Sequence, residues 1–178
     1  MCGFLNEKDV ERLLEFHCPR FNELPKVQLY KDQVILYIEK ILNNINLNSQ
    51  EKLLTPTMLN NYVKQKIVAP PKDKKYNEKH LAYLIIVCIL KQVYSLTEIC
   101  ELIKIQIETY SIEVAYDYFC IELEKGLEAV FTTRDFSAPS SATHITYASE
   151  VLRSTVISFV HKIFIQKCLI KQKMLNEE

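Results

Sequence analysis

Apolar residues return every three or four positions along most of this chain, which is the period of an α-helix, and the pattern breaks at prolines and polar runs. Asn6 can cap a first helix to about His17, with Val10, Leu13, Leu14 and Phe16 inward and Pro19 as its stop. A second runs from Leu29 or Lys31 to Asn43 on Val34, Ile35, Ile38, Ile41 and Leu42. The polar connector from Asn43 to Ser49 follows. It is longer than the three or four residues of a tight helix–turn–helix linker. Either the arrangement is loose, or Ile45 and Leu47 pack beneath it; the second reading is preferred. Thr55 and Pro56 then cap and start a helix to near Ile67, which Pro70-Pro71 prevents from continuing.

Asn77 caps a helix to about Val93 that is apolar nearly all round, the pattern of an element buried on several sides. Its unbroken apolar run of ten residues, Leu81 to Leu90, falls short of the ~20 needed to cross a bilayer. Ser95 with Glu98 forms a capping box for the next helix. After Ser111, the spacing of Tyr116, Phe119, Cys120, Leu123, Leu127 and Val130 predicts a long helix to about Phe131. Thr132 to Thr143, with Pro139 and Ser140-Ser141, reads as a loop. Ala148, Leu152, Val156, Phe159, Ile163 and Leu169 predict a last helix from Ile145 to Lys173. The two closing helices are expected to form an antiparallel hairpin that covers the apolar post or meets a second subunit. The fold class is all-α. The expected units are residues 1–28, an N-terminal helix and connector; 29–108, a head; and 109–178, a helical tail.

Composition narrows the chemistry. Only two glycines occur in 178 residues, against a usual share of about 7%. There is no P-loop and no dinucleotide fingerprint, so no cofactor is expected. The polar, acidic run from Asn6 to Glu15 is unlike a signal peptide, and a cytoplasmic protein without membrane attachment is expected. Cys2, Cys18, Cys88, Cys100, Cys120 and Cys168 lack zinc-ligand spacing. Most sit on apolar faces and read as reduced core thiols, and no metal site is expected. Ser140, Ser141 and His144 are close in sequence but read as loop polarity, so no catalytic residue is assigned and the protein is not expected to be an enzyme. Tyr110, Tyr116, Tyr118, Phe119 and Phe131 read as core before they read as a pocket.

Charge points elsewhere. The totals balance, 22 basic against 22 acidic residues, yet the two signs are segregated. From Glu51 to His80, seven lysines face three acids, a net of +4; from Ser95 to Glu128, two lysines face eight acids, a net of −6. A basic head on a neutral chain suits an anionic partner at one end. On the helix from Pro56 to Ile67, Met58, Leu59, Tyr62, Val63 and Ile67 fall on one side; Thr57, Asn60, Asn61 and Lys64 fall on the other. Amide and hydroxyl groups of that kind read base edges, Asn being suited to adenine in the major groove.

These residues resemble the winged helix-turn-helix of MerR-type bacterial regulators. Pro56-Thr57-Met58-Leu59-Asn60-Asn61-Tyr62 stands where such proteins begin their recognition helix, and Ile67-Val68-Ala69-Pro70-Pro71 matches its exit. Tyr76 to Leu81 and Leu96 to Ile103 match the two helices that follow. The stretch from Leu54 to Gln65, with the Pro-Pro exit and Leu84 to Gln92, is also similar to a bacterial family described as a domain of unknown function, number eighteen thirty-six. MerR heads carry Arg at the position of Asn60 and Gly at that of Lys66, and a longer wing than Lys72-Asp73-Lys74-Lys75. Lys66 therefore takes a left-handed turn at some cost, or the helix ends differently.

The resemblance implies a DNA-binding transcription regulator with a truncated wing. Thr57, Asn60 and Asn61 would meet base edges. Lys64, Lys66, Lys72, Lys74 and Lys75 would meet phosphates, with Tyr62 between core and backbone and His80 near the DNA or exposed. It implies double-stranded DNA as partner, a homodimer through the C-terminal helices, and room for a small-molecule effector, a Cys100–Cys120 pair being the weakest candidate. The alternative is a protein-interaction module that kept the shape of the head without binding DNA.

Overall fold

The computed structural model describes residues 5–48, 50–137 and 140–177; Cys2, Ser49 and Pro139 lie outside them. Seven helices dominate: α1 (Glu7–Leu14), α2 (Lys31–Leu42), α3 (Pro56–Lys64), α4 (Glu78–Leu90), α5 (Leu96–Thr109), α6 (Ile112–Glu128) and α7 (Tyr147–Glu177). Two short antiparallel strands, β1 (Leu29–Tyr30) and β2 (Lys75–Tyr76), pair Leu29 with Tyr76 and Tyr30 with Lys75.

The helix starts follow local chemistry. Asn6 Oδ1 accepts from the Lys8 N–H at 3.0 Å, and Ser95 and Glu98 cap each other reciprocally, Ser95 N donating to Glu98 Oε2 at 2.8 Å. Asn77 and His80 do the same at α4: the Asn77 N–H donates to His80 Nδ1 at 3.1 Å and the His80 N–H to Asn77 Oδ1 at 3.2 Å. His80 is thus a half-buried cap rather than an exposed residue.

Nine of the thirteen residues of α4 are buried, so it is the post around which the rest packs. Each of its enclosed Leu, Ile and Val side chains contributes about 1.5–3 kcal/mol. α2 lies against one side, α5 and α6 against others. Between α2 and α3, Ile45 is buried and Leu47 packs on the core, so the long connector tucks its apolar residues beneath the head.

The tail differs from expectation in direction. α6 and α7 are parallel, not an antiparallel hairpin. Ala115 and Phe119 share a cavity wall with Val151, Leu152 and Thr155. Further along, Gly126 lies against Val160 and Ile157, and Phe131 stacks edge-on with Phe164 at 5.8 Å. At Gly126 the helices approach closely; a Cβ there would meet Val160 Cγ2 at 3.1 Å. Parallel neighbours need a return path. After α6, Ala129–Thr133 widens into a π-turn and Arg134 is left-handed, φ 60°. The chain then runs back along α6, where Tyr118 Oη meets Ser140 Oγ at 3.1 Å and Ser141 N donates to Glu122 at 2.8 Å. Antiparallel contact exists instead between α7 and α5 with the residues just before it: Tyr94 bonds Ser158 and Gln106 bonds Ala148.

The N-terminal segment packs against α6. Residues 17–21 are clasped by one face of α6: the Cys18 N–H donates to Glu124 Oε1 (2.8 Å), Arg20 makes two hydrogen bonds to Glu124 (2.5 and 3.0 Å), and the Phe21 N–H donates to Asp117 (2.6 Å). Buried residues from Leu5 to Ile163 form one continuous core. Cys18, Cys88 and Cys120 are enclosed in it, and burial pushes the Cys88 thiol up to about 12. Cys120 neighbours Cys18. No helix among the described residues is long and apolar enough to cross a membrane.

Candidate nucleic-acid interface

α3 is positioned from both ends. Thr55 Oγ1 accepts from the Met58 N–H at 3.2 Å and Pro56 occupies the first turn, where a missing N–H costs nothing. The strand of chain leading in is held by α4 and α2: Cys88 Sγ and the Lys91 ammonium both donate to Leu53 O, Gln92 Oε1 accepts from the Leu47 N–H (2.8 Å), and Glu39 Oε1 accepts from the Leu54 N–H (3.1 Å). These four positioning residues escaped sequence reading, because their partners are backbone atoms 15 to 45 residues away.

The helix ends at Lys64, not Ile67. Lys66 takes φ 60°, its N–H donates to Val63 O at 3.0 Å, and the Ile67 N–H donates to Tyr62 O at 2.9 Å. That pair of bonds is a Schellman ending with lysine at the left-handed position usually held by glycine. Ile67, buried at 8% exposure, closes the apolar contact that accompanies it.

Leu59 and Tyr62 bury the inner face of α3. Tyr62 is 3% exposed, so it is a core residue and does not straddle core and backbone. Burial pushes its phenol well above the ordinary range. The outer face carries Thr57, Asn60, Asn61, Lys64 and Lys66, all exposed and uncovered by the tail. Gln65 joins them, its Nε2 donating to Asn61 Oδ1 at 3.2 Å. Its place four residues after Asn61 was the signal available for including it.

The lysine-rich stretch after Pro71 is a tight hairpin. The Lys75 N–H donates to Lys72 O at 2.9 Å, and both central residues, Asp73 (φ 50°) and Lys74 (φ 62°), are left-handed. This is the geometry of a type I′ turn, which normally calls for Asn-Gly. Lys72 and Lys74 project at its tip, exposed. Lys75 does not: it is half-buried, with its ammonium 5.3 Å from the centroid of the Tyr30 ring. Among the described residues, Lys64, Lys66, Lys72 and Lys74 make no ion pair, whereas Lys79 is engaged by Glu113 at 3.5 Å. α2 touches α3, β1 and β2, and so ties helix and hairpin to one support. Chemically, the region offers an uncharged donor–acceptor face flanked by unneutralised ammonium groups.

A family model described as "Domain of unknown function (DUF1836)" matches residues 19–119, a span that includes α3 and the lysine hairpin and stops before α7. No curated protein and no solved structure matches the chain.

Proposed function

The chain belongs to the DUF1836 family, and on that footing we propose that it is a sequence-specific, MerR-like DNA-binding transcription regulator whose α3 enters the major groove. Under this reading α2, the connector and α3 are its helix-turn-helix, and the Lys72–Lys75 hairpin is a shortened wing. Thr57, Asn60 and Asn61 read base edges, while Lys64, Lys66, Lys72 and Lys74 meet phosphates. Lys75 braces the wing against Tyr30. The observation that carries the proposal is the bare amide face of α3 beside four unpaired lysines. Four phosphate contacts correspond to a slope of about −3.6 in log K against log salt. A homodimer places two such heads on half-sites about 34 Å apart; Ile165 and Leu169, each 52% exposed and one turn apart on α7, support that surface.

Fluorescence anisotropy with a random duplex at low salt is the first test, followed by selection of bound genomic fragments. Salt-sensitive binding and an enriched sequence are expected. A chain that ignores duplex DNA even at low ionic strength would leave the second reading, a protein-interaction module, which has its own support: Val27, Tyr30 and Leu36 of the same region are exposed, Leu36 at 71%.

A further inference from the structure

Between the connector that leads into α3, the residues just after α4 and the middle of α7 lies a cavity of about 580 Å³. That volume falls in the range of small-molecule sites, about 300–1,000 Å³. One lysine from each of the three, Lys52, Lys91 and Lys162, shares its wall with a single carboxylate, Glu51. Lys162 and Gln166 are one turn apart on α7 and half-buried. Their side chains have no ion pair or hydrogen bond among the described residues. Lys91 is half-buried too. Its ammonium donates to Leu53 O and lies 3.5 Å from Met58 Sδ, which leaves one of its three N–H groups unused. Ammonium groups that have lost part of their water and have no counter-ion favour an incoming anion. Met58 and Ile170 add an apolar strip to the same wall.

The charge of the wall, three ammonium groups against one carboxylate, matches a dianion. A phosphate monoester carries about −1.5 to −2 near neutral pH and offers three acceptor oxygens, one for each lysine. We propose that this cavity binds a small organic phosphate monoester, its phosphoryl oxygens taking Lys52, Lys91 and Lys162 and its organic body lying on Met58 and Ile170. Met58 belongs to α3 and Lys162 to α7, so the occupant touches both helices. Binding here does not require DNA, and the test omits it.

The probes are phenyl phosphate, benzoate and benzyl alcohol, which share a ring and differ in charge, titrated into the full chain at low salt. Calorimetry and amide NMR shifts follow binding. Phenyl phosphate should shift residues of the cavity wall and bind about tenfold tighter than benzoate, with an affinity that falls as salt rises. Benzyl alcohol should not bind, and inorganic phosphate, which lacks the ring, should bind more weakly than phenyl phosphate. Lys162→Gln should weaken phenyl phosphate about tenfold, equivalent to ~1.4 kcal/mol. Gln166→Glu, which sets a carboxylate one turn from Lys162, should abolish binding. Lys104→Gln, the same charge change on the exposed surface of α5 and outside the cavity, should leave it unaltered. No binding of phenyl phosphate at low salt, or shifts confined to residues outside the cavity, would overturn the assignment. So would equal affinity for phenyl phosphate and either benzyl alcohol or inorganic phosphate, or equal losses from Lys162→Gln and Lys104→Gln.

Discussion

Gln65 and Asn61 are bonded side chain to side chain on the exposed face of α3, Gln65 Nε2 donating to Asn61 Oδ1 at 3.2 Å. The bond uses one lone pair of Oδ1 and leaves the Asn61 amide N–H₂ and a second lone pair outward. Asn61 is therefore held in an orientation from which a bidentate contact to adenine is available. Asn61→Ala should relax sequence preference by roughly 1–3 kcal/mol at one base pair. Gln65→Ala, which frees the rotamer without removing the reader, should cost less than half of that. Competition binding with single-position operator variants measures both; equal losses on selected and random duplex would contradict the assignment.

Lys74 should behave differently. It is exposed at the hairpin tip and has no ion-pair partner among the described residues, so under the proposed reading it meets phosphate and not bases. Lys74→Ala should weaken all duplexes alike and reduce the salt slope by about one. Lys75→Ala should instead loosen the hairpin, since its ammonium rests on Tyr30.

Lys66 occupies a left-handed position at φ 60°, a conformation that costs an L-residue about 1–2 kcal/mol. Lys66→Gly should raise stability by about 0.5–1 kcal/mol after the added chain entropy of glycine, while lowering the salt slope of DNA binding by about one. Chemical denaturation and anisotropy on the same sample separate the two effects. A loss of stability would show that the ending is held by the lysine side chain itself.

Glu124 gathers the N-terminal segment through Cys18 N and both sides of the Arg20 guanidinium. Glu124→Gln keeps an acceptor for the backbone but removes the charge. The pair is partly exposed, so the expected loss is about 1–2 kcal/mol, with easier proteolysis around residues 15–28. Unchanged cleavage there would mean that Asp117 alone holds the segment.

Glu98 gives a pH signature. The Ser95 hydroxyl, then the Ser95 N–H, hold its carboxyl below the ordinary value of 4.5. A depressed carboxyl contributes stability above its unfolded pKa and loses it as pH falls through the folded one. The gap in Tm between the natural chain and Glu98→Gln should accordingly be full at neutral pH and close on acidification below 4.5. A gap that persists in acid would assign the effect to shape rather than charge.

Much of this was legible in the chain because it is local. A cap binds residues two or three away, a proline blocks its own turn, and the face of α3 follows from a fixed rotation per residue, so the capped helix starts, the buried post and the exposure of Asn60 and Asn61 could be read directly. The type I′ hairpin was not legible, since Asp73 and Lys74 lack the Asn-Gly signature and sit inside the turn that the Lys72–Lys75 bridge closes. Helix polarity was illegible for a related reason: apolar spacing says which side of α6 and α7 is buried but carries no sign for direction. That sign came from the return segment binding Tyr118 and Glu122 on its way back. The sequence by itself determined which residues face inward and where turns of helix begin; only the tertiary structure decided which partners they meet, because contacts such as Glu124 with Arg20 or Gln106 with Ala148 join atoms that no local rule relates.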